Sequence, residues 1–155
     1  MTPAVGSRAP DFTARNQYGE QVRLADYEGR RNVVLVFYPY AFSGVCTSEL
    51  TALRDRPELL ATAEFLAISC DPMFTLRAYS DAQKLELSLL SDFWPHGAIA
   101  TSYGVFDPAR GCALRGTFVI DQTSTIRWSV LNPIPNPRNP DDYAAALASL
   151  GSDLG

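Results

Sequence analysis

The chain has 155 residues and a formal net charge of −4, from 13 lysines and arginines against 17 aspartates and glutamates. This length predicts one domain, residues 1–155, and the charge argues against a nucleic-acid-binding protein, because such proteins present a basic surface. We expect no membrane-spanning helix and no secretory signal, since no apolar run approaches about 18 residues and the N-terminal segment lacks a charged region followed by a long apolar one. The expected location is therefore cytoplasmic.

The first part of the chain alternates strand and helix patterns. Residues 11–24 alternate in polarity around a Tyr-Gly turn, which is typical of a β-hairpin. Residues 32–39 form a continuous apolar run rich in valine, which predicts a strand buried on both faces. A helical pattern follows over residues 46–60, with Pro57 as a break or kink. Its apolar face is predicted to carry Leu50, Leu53 and Leu60.

The middle of the chain repeats this alternation. Residues 64–71 predict a second buried strand, and residues 73–85 a helix that follows a proline. Residues 87–92 are a short apolar run that can pair as a strand. Residues 95–105 predict another helix, with Pro95 suited to its first turn.

The last third of the chain begins with two strands. Residues 115–121 and 125–131 predict a β-hairpin, and residues 132–140 are too rich in proline for regular structure. Residues 141–150 predict an alanine-rich helix. The candidate caps of this helix are Asn139 and Asp141. Strands that alternate with helices, followed by a late hairpin, predict an α/β domain whose mixed sheet is flanked by helices on both faces.

Three cysteines are the first candidates for chemistry: Cys46, Cys70 and Cys112. An odd number without a Cys-x-x-Cys pair argues against a disulfide framework or a zinc cluster. In a reducing cytosol, at least one of these thiols is therefore free to react.

Cys46 lies where the buried strand passes into a helix. If the helix begins near residues 43–45, the thiol lies in its first turn, where free backbone N–H groups and the helix dipole favour the nucleophilic thiolate. The Ser43 hydroxyl can face the same pocket, and Gly44 lets the backbone approach a small ligand. Pro39 offers no N–H group, and its ring excludes water.

The alternative interpretation of these cysteines is structural. A single cysteine is often buried and behaves as a small apolar residue. From position alone, this interpretation stays open for Cys46. It fits Cys70, at a strand end, and Cys112, among apolar neighbours, better, because neither lies at the start of a helix.

The spacing Pro39-x-x-x-Ser43-x-x-Cys46, set between a buried strand and a helix, resembles the active-site pattern of the peroxiredoxin family. Serine stands where threonine is commoner. The resemblance extends over nearly the whole chain, through "APDF", Glu49, "SDFWPHGAIATSYGVF" and "RGTFVID". The segments "SDFWPHG" and "YGVF" are most similar to the AhpE-type, one-cysteine subgroup found in actinobacteria.

This resemblance implies a thioredoxin-like fold and a thiol-dependent peroxidase that needs no metal or organic cofactor. It implies Cys46 as the peroxidatic nucleophile and Ser43 as the hydrogen-bond partner of the peroxide. It also implies that Pro39 shields the thiolate and that Arg115 stabilises it; without the resemblance, Arg115 would be interpreted as a solvated or ion-paired group. The thiolate would attack a peroxide oxygen and become a sulfenic acid, while donors stabilise the leaving oxygen.

Five other residues keep more than one interpretation. Glu49 is either the partner of an arginine or a solvent-facing helix residue. His96, the only histidine, is expected to cap or pack rather than to catalyse. Phe42, Phe93 and Trp94 are candidates for an apolar wall, for a subunit interface or for ordinary core packing.

Reduction of the sulfenic acid is expected to need an external reductant. No cysteine follows Arg115, and Thr51 occupies the position at which another subgroup has its resolving cysteine. The resemblance therefore implies a one-cysteine mechanism, a homodimer, and either a mycothiol-like small thiol or a glutaredoxin- or mycoredoxin-like reductant. Cys112 stays open as a resolving thiol, because it is close in sequence to Arg115. The preferred peroxide also stays open among hydrogen peroxide, organic hydroperoxides and peroxynitrite.

Two other functions compete with a peroxidase. A thiol–disulfide oxidoreductase on the same fold is disfavoured, because that chemistry uses two adjacent thiols. A peroxide sensor, redox relay or holdase would be oxidised once and persist. A peroxidase would cycle with a physiological thiol, so turnover separates these functions.

Overall fold

Three parallel strands form the centre of the sheet. The computed structural model describes residues 2–154, with side chains as far as residue 150. Strands β3 (Val33–Phe37), β4 (Glu64–Ser69) and β5 (Ser88–Ser91) pair in parallel. All five residues of β3 are buried, as the continuous apolar run predicted, because helices cover both faces of the sheet at this strand.

Two antiparallel hairpins extend the sheet on either side. Strands β1 (Thr13–Asn16) and β2 (Gln21–Arg23) form the predicted N-terminal hairpin, and β1 also pairs with β5. Strands β8 (Arg115–Ile120) and β9 (Ile126–Asn132) form the predicted late hairpin, and β8 pairs with β3. The resulting order is β2-β1-β5-β4-β3-β8-β9, which confirms the predicted mixed sheet.

Helices lie on both faces, as expected. One core contains apolar side chains from four helices: α1 (Gly44–Arg54), α2 (Pro57–Leu60), α3 (Met73–Gln83) and α5 (Pro140–Leu154). The opposite core contains side chains from a 3₁₀ helix, Leu24–Tyr27, and from α4, Ala98–Ser102. A small second sheet, which the sequence did not predict, joins β6 (Phe106–Asp107) to β7 (Cys112–Ala113).

The helix predicted over residues 95–105 is wrong in its extent. The helix α4 has only five residues, and Pro95 lies outside its first turn. The buried carboxylate of Asp92 accepts hydrogen bonds from the backbone N–H groups of Ile99 and Ala100, each at 2.9 Å. Gly97 adopts φ 71°, outside the helical region, so the helix begins only after it.

The break at Pro57 also changes which leucine is buried. Helix α1 ends at Arg54, and α2 begins a new turn at Pro57, as the proline predicted. The buried face of α2 does not continue the buried face of α1. Leu59 rather than Leu60 is therefore buried, at 4% exposure. At the last helix, the Asn139 side chain accepts the Asp141 N–H at 3.0 Å, which identifies Asn139 as the cap.

No helix in the described part of the chain is both long and apolar enough to cross a membrane.

Candidate active site

Cys46 is the third residue of α1, directly beyond the carboxyl end of β3. Ser43 is the N-cap with extended backbone angles, so the thiol lies in the first turn, as predicted. The residues buried on this helix are Cys46, Glu49, Leu50 and Leu53. Their spacing is that of a single helical face, which places the thiol and a carboxylate on the side packed against the sheet. Cys46 is fully buried at 0% exposure.

Arg115 contacts the thiol directly. It is the first residue of β8, which runs antiparallel to β3, so its side chain reaches the end of the sheet at which α1 begins. Its Nη2 donates to Sγ of Cys46 at 3.3 Å. Its Nε donates to the carbonyl oxygen of Ile134, and the side chain is 2% exposed. A buried guanidinium with fixed hydrogen bonds is a preorganised cation beside the sulfur.

Glu49 joins Arg115 to a second arginine. Nη1 of Arg115 donates to Oε1 of Glu49. Arg138 donates to both carboxylate oxygens, from Nε at 2.7 Å and from Nη2 at 2.9 Å, and its backbone N–H donates at 2.8 Å. The alternative of a solvent-facing Glu49 is therefore wrong, because its side chain is 3% exposed and paired with two cations.

The formal charges of this cluster do not cancel. Two guanidinium groups and one carboxylate leave a surplus positive charge in a buried environment. An unbalanced buried charge is costly unless it is paired. Sγ of Cys46 accepts a hydrogen bond from this positively charged cluster, through Nη2 of Arg115.

Arg138 belongs to this cluster although its sequence position does not predict it. It lies in the proline-rich stretch that was predicted, correctly, to lack regular structure. Its Nη1 also donates to the carbonyl oxygen of Gly116 at 3.0 Å and to the Thr117 hydroxyl at 3.1 Å. The one signal in the sequence is a single cation among prolines and asparagines, and this signal does not identify the partner.

Pro39 and Ser43 lie in the segment between β3 and α1. Pro39 is buried two residues after β3 ends. The Ser43 hydroxyl donates to the carbonyl oxygen of Tyr40 at 3.0 Å, and its oxygen accepts no hydrogen bond from the N–H groups of the helix. The structure therefore brings Cys46 and Arg115 into contact, and it places Ser43 at the helix cap with its hydroxyl turned toward the preceding loop.

The other two cysteines are buried and free. Burial, with smaller contributions from Asp92, Cys112 and Asp71, raises the pKa of the Cys70 thiol from 9.0 to about 12. Cys112 is 0% exposed, and interaction with its thiol raises the pKa of the Tyr40 phenol. Cys112 is thus beside the loop that leads to Ser43, which the sequence could not show.

His96 lies on the surface, where both ring nitrogens contact backbone carbonyls. Nε2 is 2.7 Å from the oxygen of Gly111, and Nδ1 is 3.3 Å from that of Phe93. Within the described side chains, no cluster of three or more histidine, cysteine, aspartate or glutamate residues could hold a metal ion.

Three aromatic side chains named above are exposed. Phe42, Phe93 and Trp94 are 54%, 48% and 83% exposed, which excludes ordinary core packing. Phe42 precedes α1, and the other two follow β5. All three therefore lie at the carboxyl ends of the parallel strands, the same end as Cys46.

Comparison with known proteins identifies the family. The AhpC/TSA family model matches residues 5–129. Alkyl hydroperoxide reductase E of Mycobacterium tuberculosis is 44% identical over 148 residues, which cover 94% of this chain and 97% of that protein.

Solved structures share the fold. A reduced 2-Cys peroxiredoxin of Plasmodium vivax aligns with a TM-score of 0.88 at 26% identity, over 97% of this chain and 83% of that one. Peroxidoxin BcpB of Mycobacterium tuberculosis aligns with a TM-score of 0.81 at 30% identity, over 96% of each chain. These likenesses confirm the predicted thioredoxin-like fold. The chain therefore belongs to the AhpC/TSA family of peroxiredoxins, which are thiol-dependent peroxidases.

Proposed function

We propose that Cys46 is the sulfur with which this oxidoreductase reduces peroxides. The thiolate attacks one oxygen of a hydroperoxide, a sulfur–oxygen bond forms and the oxygen–oxygen bond breaks. The sulfur is oxidised to a sulfenic acid, and the leaving oxygen takes a proton to become water or an alcohol. The observation that carries this proposal is the 3.3 Å contact between Nη2 of Arg115 and Sγ of Cys46, inside a cluster with surplus positive charge.

The neighbouring groups have separate roles in this proposal. Arg115 stabilises the thiolate and the charge that develops on the leaving oxygen. Ser43 rotates its hydroxyl from Tyr40 to the bound peroxide, and the buried Pro39 keeps water from the sulfur. Glu49 and Arg138 hold the Arg115 guanidinium in place.

The substrates in this proposal are hydrogen peroxide, organic hydroperoxides and peroxynitrite. The name of the mycobacterial relative, alkyl hydroperoxide reductase E, supports organic hydroperoxides. Exposed apolar rings at the Cys46 end of the sheet support them too, since an alkyl group gains free energy when it leaves water. These rings belong to Phe42, Phe93 and Trp94.

We propose that an external thiol recycles the enzyme. One thiol condenses with the Cys46 sulfenic acid, which releases water and leaves a mixed disulfide. A second thiol then displaces Cys46 and leaves with the first as a disulfide. The raised pKa of Cys70, which keeps that thiol protonated, supports this one-cysteine cycle. A mycothiol-like thiol or a glutaredoxin- or mycoredoxin-like protein is the proposed reductant, in the cytoplasm, where such thiols remain reduced.

We also propose a homodimer. Exposed aromatic side chains of this size are unusual on a monomer unless they form a contact. Phe93 and Trp94 are adjacent in sequence, and their side chains are 48% and 83% exposed.

Intact mass after one equivalent of peroxide, with and without a sulfenic-acid trap, tests the chemistry. A trapped adduct on Cys46 is the expected product. A Cys46–Cys112 disulfide would replace the one-cysteine cycle with an internal one. Oxidation followed by thiol-driven turnover supports a peroxidase, whereas an oxidised form that persists with every thiol supports a sensor.

A further inference from the structure

The loop before α1 is tied to the end of β4 by one carboxylate. Asp71 Oδ2 accepts the backbone N–H of Ala41 at 2.8 Å and the Ser69 hydroxyl at 2.7 Å. The Ser91 hydroxyl donates to the backbone oxygen of Asp71 at 2.7 Å. Asp71 thus connects the chain segments that follow β3, β4 and β5, at the end of the sheet where Cys46 lies.

The loop that Asp71 holds contains a strained residue. Phe42 has φ 69°, in the left-handed region that a bulky side chain rarely adopts. Such a conformation persists only when the surrounding structure holds both sides of it. The Asp71 bond to Ala41 fixes one side.

The other side of Phe42 is fixed through α3. The Phe42 ring packs against Tyr79, with 4.9 Å between centroids. The Tyr79 hydroxyl is 2.8 Å from the Thr47 hydroxyl, and Thr47 follows Cys46 in α1. Tyr79 acts through packing and a helix residue, whereas Asp71 holds the loop backbone itself, so Asp71 is the more direct constraint on Ser43.

We propose that Asp71 is a positioning residue for the peroxide reaction. It holds the backbone of Ala41, and through the strained Phe42 it sets the orientation of the Ser43 hydroxyl. This inference rests on the proposed role of Cys46 and extends it. Displacement of such groups by about 1 Å can slow a reaction by about 100-fold. Asp71 acts as a hydrogen-bond acceptor here, so an amide oxygen can replace its carboxylate.

Two rate constants of Cys46 test this role. Oxidation by hydrogen peroxide needs the loop to orient the oxidant, whereas alkylation by iodoacetamide needs only a nucleophilic sulfur. In Asp71→Ala, we expect peroxide oxidation to slow by about 10- to 100-fold while alkylation changes by less than about threefold. Asp71→Asn should restore the peroxide rate, because its side-chain oxygen accepts the Ala41 N–H. Asp71→Glu keeps the charge but moves the acceptor, and should be as slow as Asp71→Ala.

Three results would overturn the inference: an unchanged peroxide rate in Asp71→Ala, a parallel loss of both reactions, or no recovery in Asp71→Asn. If Asp71→Ala does not fold, Asp71→Glu and Ser69→Ala replace it. Ser69→Ala removes the hydroxyl that orients the carboxylate, so it should slow peroxide oxidation and spare alkylation. The wild-type protein tests the proposed function separately, since a peroxide rate no faster than that of free cysteine rejects Cys46 as the nucleophile.

Discussion

Arg138 binds both carboxylate oxygens of Glu49, with Nε 2.7 Å from one oxygen and Nη2 2.9 Å from the other. The same carboxylate accepts a hydrogen bond from Arg115, which donates to Cys46. The direction in which Arg115 points is therefore set by a residue in a loop near the end of the described chain. A site with only one arginine would leave the Glu49 carboxylate half-paired in a buried position.

Substitution of Arg138 by methionine should destabilise the protein and slow the reaction. It removes two side-chain bonds to Glu49 and leaves the buried carboxylate with one charged partner, Arg115, so we expect a loss of about 3–5 kcal/mol in the free energy of unfolding. Urea unfolding followed by circular dichroism measures this loss. Arg77→Ala breaks an exposed pair with Asp81 and a cation–π contact with Tyr18, and should cost at most about 1.5 kcal/mol. Equal stability of the two variants would contradict a structural role for Arg138.

Arg115→Ala should slow the oxidation of Cys46 by at least about 100-fold, the cost typical of removing one preorganised donor. Arg115→Lys should recover little, since an ammonium cannot keep bonds to Cys46, Glu49 and Ile134 at once. Stopped-flow tryptophan fluorescence measures the rate, and circular dichroism confirms the fold. A wild-type rate in a folded Arg115→Ala would remove this residue from the mechanism.

Cys46→Ser should abolish peroxide consumption, because a hydroxyl at this position does not form a sulfenic acid. Cys70→Ser and Cys112→Ser are matched controls, since both thiols are buried outside the arginine cluster. Each should keep the first oxidation step, as measured by trapping of the sulfenic acid. If Cys70→Ser alone loses that step, Cys70 rather than Cys46 is the sulfur that reacts with peroxide.

Cys70 should make stability fall at alkaline pH. Burial raises its folded-state pKa from 9.0 to about 12, so the folded protein keeps this proton more tightly than the unfolded chain does. Its contribution to stability is therefore complete below pH 9.0 and is lost as the pH rises to about 12. Urea unfolding at a series of alkaline pH values should show a smaller decline in Cys70→Ala than in the wild-type protein. If the stability of both proteins declines equally with pH, groups other than Cys70 cause the loss of stability at alkaline pH.

Trp94→Asp should shift a homodimer toward monomer, because a carboxylate in place of an 83% exposed indole disfavours an apolar contact. Sedimentation velocity over a range of protein concentrations measures the change. Tyr18→Asp is the control: its ring is 55% exposed and lies in the β1–β2 turn, near the opposite end of β5. If Trp94→Asp remains as dimeric as the wild-type protein, Trp94 is not part of the interface.

Local patterns in the sequence were enough to predict the main elements. The valine run of β3, the break at Pro57 and both hairpins depend on residues close together in the chain, and so does the position of Cys46 in the first turn of α1. The role of Arg115 was predicted only from the family resemblance, because its partners are distant in sequence. Arg138 was missed for the same reason, because it lies 89 residues from Glu49 in a stretch without periodicity.

The errors at the other helices also came from contacts beyond the local pattern. Helix α4 is short because a side chain before it, Asp92, caps residues that the pattern placed in the middle of the helix. Leu59 replaces Leu60 in the core because the turn at Pro57 resets the helical phase. A sequence pattern records the period of a helix but not where a neighbouring loop ends it.

The residues of the arginine cluster are far apart in sequence, so the cluster can form only late in the synthesis of the chain. Glu49 pairs with Arg138, which lies 89 residues later in the chain, and Cys46 accepts a hydrogen bond from Arg115, which lies 69 residues later. A nascent chain emerges from the ribosome at about 5–20 residues per second, so the cysteine is exposed for seconds before either guanidinium exists. During that interval the thiol is as slow toward oxidants as any cysteine in an unfolded peptide. If Cys46 is the reacting sulfur, as proposed above, its contact with Arg115 forms only when the native fold does, and the reactivity that this contact confers arises at the same time.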